Sequence, residues 1–346
     1  MCQPYSIMLN TIKSHKDNIL RSGLLLDSLF LAAAITVLTL LVRHDQMLGD
    51  FSITFLAIIL EALPFMLVGS LAGGLIEVFM PDGLFDRLLK GKKYWAIFVG
   101  AGLGLIFPVC ECAIIPVVRR LLGKGVPFSA AIAFLLGGPI VNPVVAASTA
   151  TAYGFDWTMA GARLGFGYLI AVTVAFLMGS FFPDKKALKI IPLPMIMLND
   201  AIKTKTSHKV SFFHVVRHAG DDFFEVGKFL VIGSFIAALL RTTIPVSVFE
   251  TLSAGPFTAI AVMMTAAILL NLCSEADAFI AAGFRNILPE SSQLAFMVLG
   301  PMLDIKLLLM YLPVFKKKAI ITLALLTTTA TGLAMWFYEI SGVIQP

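Results

Sequence analysis

Apolar residues run along this chain in blocks long enough to cross a bilayer, and the blocks recur over almost its whole length. Polar joints that carry Pro, Gly or clustered Lys and Arg separate them. The pattern predicts spans at 24–42, 52–80, 130–153, 160–182, 225–248, 292–313 and 319–338. Two more apolar segments, 95–118 and 257–284, are treated separately below. Because lipid offers the backbone no partners, such runs are expected as helices. The predicted class is an all-α polytopic membrane protein made of one membrane domain.

The first run needs a separate argument. Lys13, Lys16 and Arg21 precede Leu24–Val42, as in a signal peptide, but the run exceeds the usual apolar core and no small-x-small cleavage site follows. It is therefore expected as an uncleaved span. Composition agrees: 58% of the 346 residues are hydrophobic and the mean hydropathy is +0.92.

Charge placement sets the topology. Segment 95–118 has Arg87, Lys90, Lys92 and Lys93 before it and Arg119, Arg120 and Lys124 after it. A single crossing would place one of these clusters outside, against the positive-inside tendency. A re-entrant hairpin broken near Pro108–Cys112, with arms Trp95–Phe107 and Ala113–Leu122, keeps both inside. Treating 257–287 as a second hairpin from the other face leaves 20 of the 26 Lys and Arg in cytoplasmic segments. Arg43, Arg163, Arg241 and Arg285 fall at the outer side, and Lys228 and Lys306 fall within spans. Two complete crossings are the alternative topology. The net charge of +5 is thus accounted for by orientation rather than by nucleic acid.

The two halves resemble each other. "EALPFMLVGSLAGGLI" (61–76) aligns with "EVGKFLVIGSFIAALL" (225–240), pairing Glu61 with Glu225 and Gly69-Ser70 with Gly233-Ser234 at an offset of 164. Cys110 aligns with Cys273, and "AFLLGGPIVN" (133–142) with "AFMVLGPMLD" (295–304), so that Asn142 meets Asp304. The expected organisation is 1–50 as a cytoplasmic tail and first span, 51–182 as the first repeat, 183–219 as a cytoplasmic connector and 220–346 as the second repeat. In the topology above the repeats are inverted. Transporters built this way hold their site at the midplane, where discontinuous helices meet.

The candidate chemistry falls at those breaks. Cys110-Glu111-Cys112 and Cys273-Ser-Glu275-Ala-Asp277 combine soft thiol ligands, suited to Cu(I), Zn(II) and As(III), with acids that neutralise a cation or take up released protons. Cys110, Cys112 and Cys273 are the candidate metal ligands. Glu111, Glu275, Asp277, Asn142 and Asp304 are the further candidate substrate contacts. Glu61 and Glu225, carboxylates inside matched spans, are the candidate proton-coupling groups. Asp304 and Lys306 stand two apart and would not face each other on a regular helix, so any pairing between them needs a distorted backbone. The cysteines sit in apolar context and do not suggest an extracellular disulfide framework. No G-x-x-x-x-G-K-[ST] sequence supports ATP hydrolysis by this chain.

At "CECAIIPVVRRLLGKGVPFSAAIAFLLGGPIVNP" (110–143) and "LCSEADAF" (272–279) the chain resembles the ArsP-like, YraQ-like permease family, from about residue 50 to the last span. The resemblance implies efflux of thiophilic substrates, among them trivalent organoarsenicals and soft or divalent metals. It also implies Cys110, Cys112 and Cys273 as substrate ligands. The expected protein is a multi-pass permease of a bacterial or archaeal cytoplasmic membrane. It would export a small inorganic or organometalloid species by alternating access, without enzymatic activity or cofactor, and a homo-oligomer stays open. Uptake of a sulfur-containing or other anion is the alternative function, and a membrane thiol oxidoreductase a third. Acids at the breaks argue against the anion, and thiols at mid-membrane argue against the oxidoreductase.

Overall fold

In a membrane interior each backbone N–H and C=O must find a partner within the protein, and the apolar runs meet that demand by coiling. The computed structural model describes residue 36 and residues 45–79, 93–182, 187–188, 212–243 and 255–342. The first expected span, 24–42, apart from Thr36, and most of the connector 183–219 lie outside the described residues. Within them are twelve α-helices and no strand beyond one isolated antiparallel bridge, Leu188 to Phe315.

The first six helices are α1 (Asp45–Phe79), α2 (Lys93–Gly102, extended by a 3-10 turn Leu103–Leu105), α3 (Glu111–Gly123), α4 (Phe128–Gly137), α5 (Pro143–Ala152) and α6 (Trp157–Phe181). The next six are α7 (Phe212–Thr243), α8 (Pro256–Leu270), α9 (Asp277–Gly283), α10 (Glu290–Met302), α11 (Ile305–Tyr311) and α12 (Lys317–Ser341). Five stretches are long and apolar enough to cross a membrane: Met47–Ile76, Trp157–Phe181, Phe223–Thr243, Glu290–Tyr311 and Lys317–Ser341. The chain divides into two units at Thr54, and the second, Phe55–Pro346, carries everything that follows.

The breaks follow local chemistry. Pro108 disfavours helical backbone at Phe107, so the first arm ends earlier than the expected Phe107 and passes through a 3-10 turn. Pro143 occupies the first turn of α5, where its missing N–H costs nothing, and Asn142 caps that helix by accepting the Val144 N–H at 2.9 Å. Asp304 does the same for α11, accepting the Leu307 N–H at 2.6 Å from an extended backbone. The matched Asn142 and Asp304 are therefore both caps at mid-segment breaks. Asn271 closes α8 in the left-handed region (φ 50), which Asn tolerates better than most residues.

Among the described residues one half repeats the other in element order: a long helix, two broken pairs of short helices, then a long helix. Packing repeats with it. α2 lies on α4 as α8 lies on α10, α4 on α6 as α10 on α12, and α3 on α4 as α9 on α10. Between halves, α5 meets α9 and α11 meets α3. The stretch Glu290–Tyr311 is 83% buried over its most apolar window, against 22–33% for the other long spans, so it lies innermost. Large side chains such as Phe224, Ile321, Leu333 and Phe337 stay exposed, as lipid contact allows. At one end, Ala187 accepts the Lys316 N–H at 2.9 Å, joining the start of the connector to the start of α12 at Lys316–Lys318. The two were expected on the same face.

Candidate functional site

At both cysteine breaks the cysteine carbonyl accepts two backbone N–H groups. The carbonyl of Cys110 accepts from Ala113 and Ile114 at 3.2 Å each, starting α3. The carbonyl of Cys273 accepts from Ala276 at 2.9 Å and Asp277 at 3.0 Å, closing a turn that leads into α9. Glu111 and Asp277 thus occupy the first position of equivalent helices, where a carboxylate is favoured by the helix dipole. Pro116 inside α3 cannot donate to the carbonyl four residues earlier, that of Cys112.

The long helices press onto short helices at the repeat-matched glycines, α1 onto α3 and α7 onto α11. A Cβ on Gly69 would collide with the backbone of Ala113, next to Cys112. A Cβ on Gly233 would stand 2.8 Å from Cα of Lys306. Small residues here let α1 and α7 approach the short helices at backbone distance.

The breaks converge on one narrow, nearly filled cleft of about 20 Å³, lined by Ile58, Glu61, Ala62, Phe65, Cys110, Glu111, Cys112, Asn271, Cys273 and Lys306. All three candidate thiols are unoxidised and line it, Cys112 buried and the other two partly so. The Cys273 thiol donates to Glu275 Oε2 at 2.6 Å, and Ser274 Oγ to the same oxygen at 3.2 Å. Lys306 Nζ stands 3.6 Å from Glu111 Oε1, with both groups buried. The other oxygen, Glu111 Oε2, is buried without a hydrogen bond. Asn271, turned as hydrogen bonding requires, donates its amide to both carboxylate oxygens of Asp304, at 3.0 Å to Oδ1. No group of three or more His, Cys, Asp or Glu side chains among the described residues is arranged to hold a metal ion. The thiols line the cleft as separate groups.

A second buried cluster lies beside the cleft. Arg163 donates to Asp277 Oδ2 at 2.8 Å, to the carbonyl of Ser274 at 2.9 Å and to Thr149 Oγ1 at 2.8 Å. Its side chain is fully buried. Arg163, expected among the charges at the outer side, is buried inside the protein near the start of α6. It sits inside α6 and ties the first half to the break of the second. Ser148 Oγ adds a bond to the Glu275 carbonyl at 2.5 Å.

Of the candidate residues, Cys110, Glu111, Cys112, Cys273 and Glu61 come together in the cleft. Asp304 touches it through Asn271, Glu275 through Cys273, and Asn142 serves as a cap. Asp277 is held by Arg163. Glu225 forms an ion pair with Arg119 at 2.8 Å instead of lining the cleft. Lys228 lies over the Phe229 ring at 5.0 Å rather than beside Glu225. The sequence pattern assigned no site role to Asn271 or Arg163, and it pointed to Lys306 only as a neighbour of Asp304. The Asn immediately before the Leu-Cys-Ser-Glu break was the available signal for Asn271.

A helical membrane protein whose broken helices meet at a buried, polar, thiol-lined cleft is built as a permease. The chain belongs to the ArsP_1 predicted permease family, whose model matches residues 47–340. It is 38% identical over 270 residues to the UPF0718 protein YcgR of Bacillus subtilis, covering 78% of this chain and 90% of that one. It is 37% identical over 291 residues to a Streptococcus mutans protein named as a subunit of a two-component membrane permease complex, covering 84% and 94%. The UPF0718 protein YraQ of Escherichia coli is 29% identical over 112 residues, covering 32% and 31%. No solved structure matches.

Proposed function

We propose that this permease exports a thiophilic metal or metalloid species, with Cys110, Cys112 and Cys273 as its ligands. The observation that carries the reading is their convergence. Three thiols from two breaks, far apart in sequence, line one cleft with Glu61 and Glu111. Thiolates select soft species, and the acids beside them receive the protons that binding releases. Substrate would draw the three sulfurs into a ligand set that the empty cleft lacks. The repeated element order supports two halves of opposite orientation that rock about this cleft. Glu61, on the cleft, is the proposed proton-coupling group. Glu225, paired with Arg119, would act on the gate rather than on the substrate. Asp304 and Asn142 would hold the mid-segment breaks open to the site, and Asp277 and Glu275 would fix the second break.

The test is sensitivity of a deletion strain to arsenite, methylarsenite, Cu, Zn and Cd, with cell content read by mass spectrometry. Complementation should lower the content of one species selectively, and the variant C110S/C112S should fail to do so at equal membrane level. Full protection by that variant refutes the thiol mechanism.

A further inference from the structure

We infer that Lys306 is a tethered counter-cation that neutralises the empty cleft so that the unloaded permease can reorient, and that an arriving cationic substrate displaces it from Glu111. The inference rests on the alternating-access reading above and names a residue that this reading does not use.

Three observations carry it. First, the Lys306–Glu111 pair is loose. Its 3.6 Å separation exceeds the 2.7–3.2 Å of an N–H···O hydrogen bond, although both groups are buried. A second buried pair among the described residues, Arg163–Asp277, closes at 2.8 Å and is pinned by Thr149 and Ser274. One pair is built to stay and the other to part.

Second, Glu111 keeps one buried oxygen, Oε2, without a partner, and the residue lines the cleft. An acceptor held ready there suits a second cation. Third, the charges fit an exchange. Asp304 accepts from the Leu307 N–H and the Asn271 amide and can accept more, whereas Glu111 has Lys306 alone as a charged partner. When substrate charge reaches Glu111, the flexible lysine stem has Asp304, two residues away, as its alternative partner. The Lys306 backbone does not need to move, since α7 packs on it at Gly233.

Without Lys306 the empty site would carry an uncompensated carboxylate through the membrane interior, which is costly. A loaded site would still be neutralised by its substrate. The role is therefore specific to the empty half of the cycle.

The cleft cysteines report that half directly, with no substrate present. In a C2S background, a membrane-impermeant maleimide is applied to right-side-out and to inside-out vesicles, and the labelling rate is measured at each face. The parent protein should label from both faces and K306R likewise. K306M should label from one face at the parental rate and at least tenfold more slowly from the other. Parental rates at both faces in K306M overturn the role of Lys306 alone. A parent that labels from one face only, or from neither, overturns the alternating-access reading and this inference with it. Should K306M not reach the membrane, E111Q/K306M removes both charges and should label from both faces. One-sided labelling of that double variant also overturns the inference.

Discussion

Replacing Arg163 by Met removes the cation of a pair in which the two side chains are 0% and 2% exposed. Asp277 then keeps a buried carboxylate with no partner, and breaking such a pair from one side costs about 3–5 kcal/mol. Thr149 Oγ1 and the Ser274 carbonyl lose donors at 2.8 and 2.9 Å as well, each worth about 1 kcal/mol. At a few degrees per kcal/mol, the melting midpoint should fall on the order of 10 °C. The assay is thermal unfolding of detergent-purified protein followed by size-exclusion fluorescence. The double variant R163M/D277L supplies the control. It replaces the pair with apolar side chains, which is often neutral or stabilising, so it should recover at least half of the loss. A midpoint for R163M within about 2 °C of the parent refutes the reasoning. So does a double variant that melts as low as the single one, since the damage would then not come from a stranded charge.

Gly69→Ala and Gly233→Ala should each destabilise by about 1–3 kcal/mol through overpacking against Ala113 and Lys306, and should lower transport at equal membrane level. Gly161→Ala, with nothing within 4 Å of the new methyl, should be neutral or slightly stabilising, and the same melting assay compares all three. Glu61→Gln should abolish the dependence of export on the pH gradient in vesicles, because Glu61 lines the cleft. Glu225→Gln should leave that dependence intact, because its carboxylate is partly exposed and tied to Arg119. Loss of dependence in the second and not in the first would reverse the assignment.

The breaks were legible because their causes are local. Pro108, Asn142-Pro143 and Asp304 stop or start helices through their own backbone and side-chain chemistry, and the segment 95–118 is divided from sequence on that ground. The cysteines were legible as a group because they recur at matched positions of the repeat. Arg163 was not. Its partner Asp277 lies 114 residues away, and in "GARLGFG" it reads like any charge at a helix flank. Lys306 was noticed within a span but had no visible partner. The residue it meets, Glu111, comes from the opposite half, and hydropathy carries no trace of a contact between halves. Glu61 and Glu225 aligned well in sequence, yet only one reaches the cleft. Equivalent positions in a repeat share a backbone environment but not a neighbour.

The central claim is that Cys110, Cys112 and Cys273 form one transport site. Native mass spectrometry of the purified protein with methylarsenite, and separately with Cd2+, tests it most directly. The account predicts one equivalent of at least one of these species per chain, weakened at least about tenfold, or about 1.4 kcal/mol, by each of C110S, C112S and C273S. Absence of binding by the parent, or binding that survives C273S unchanged, would contradict a single site built from both breaks.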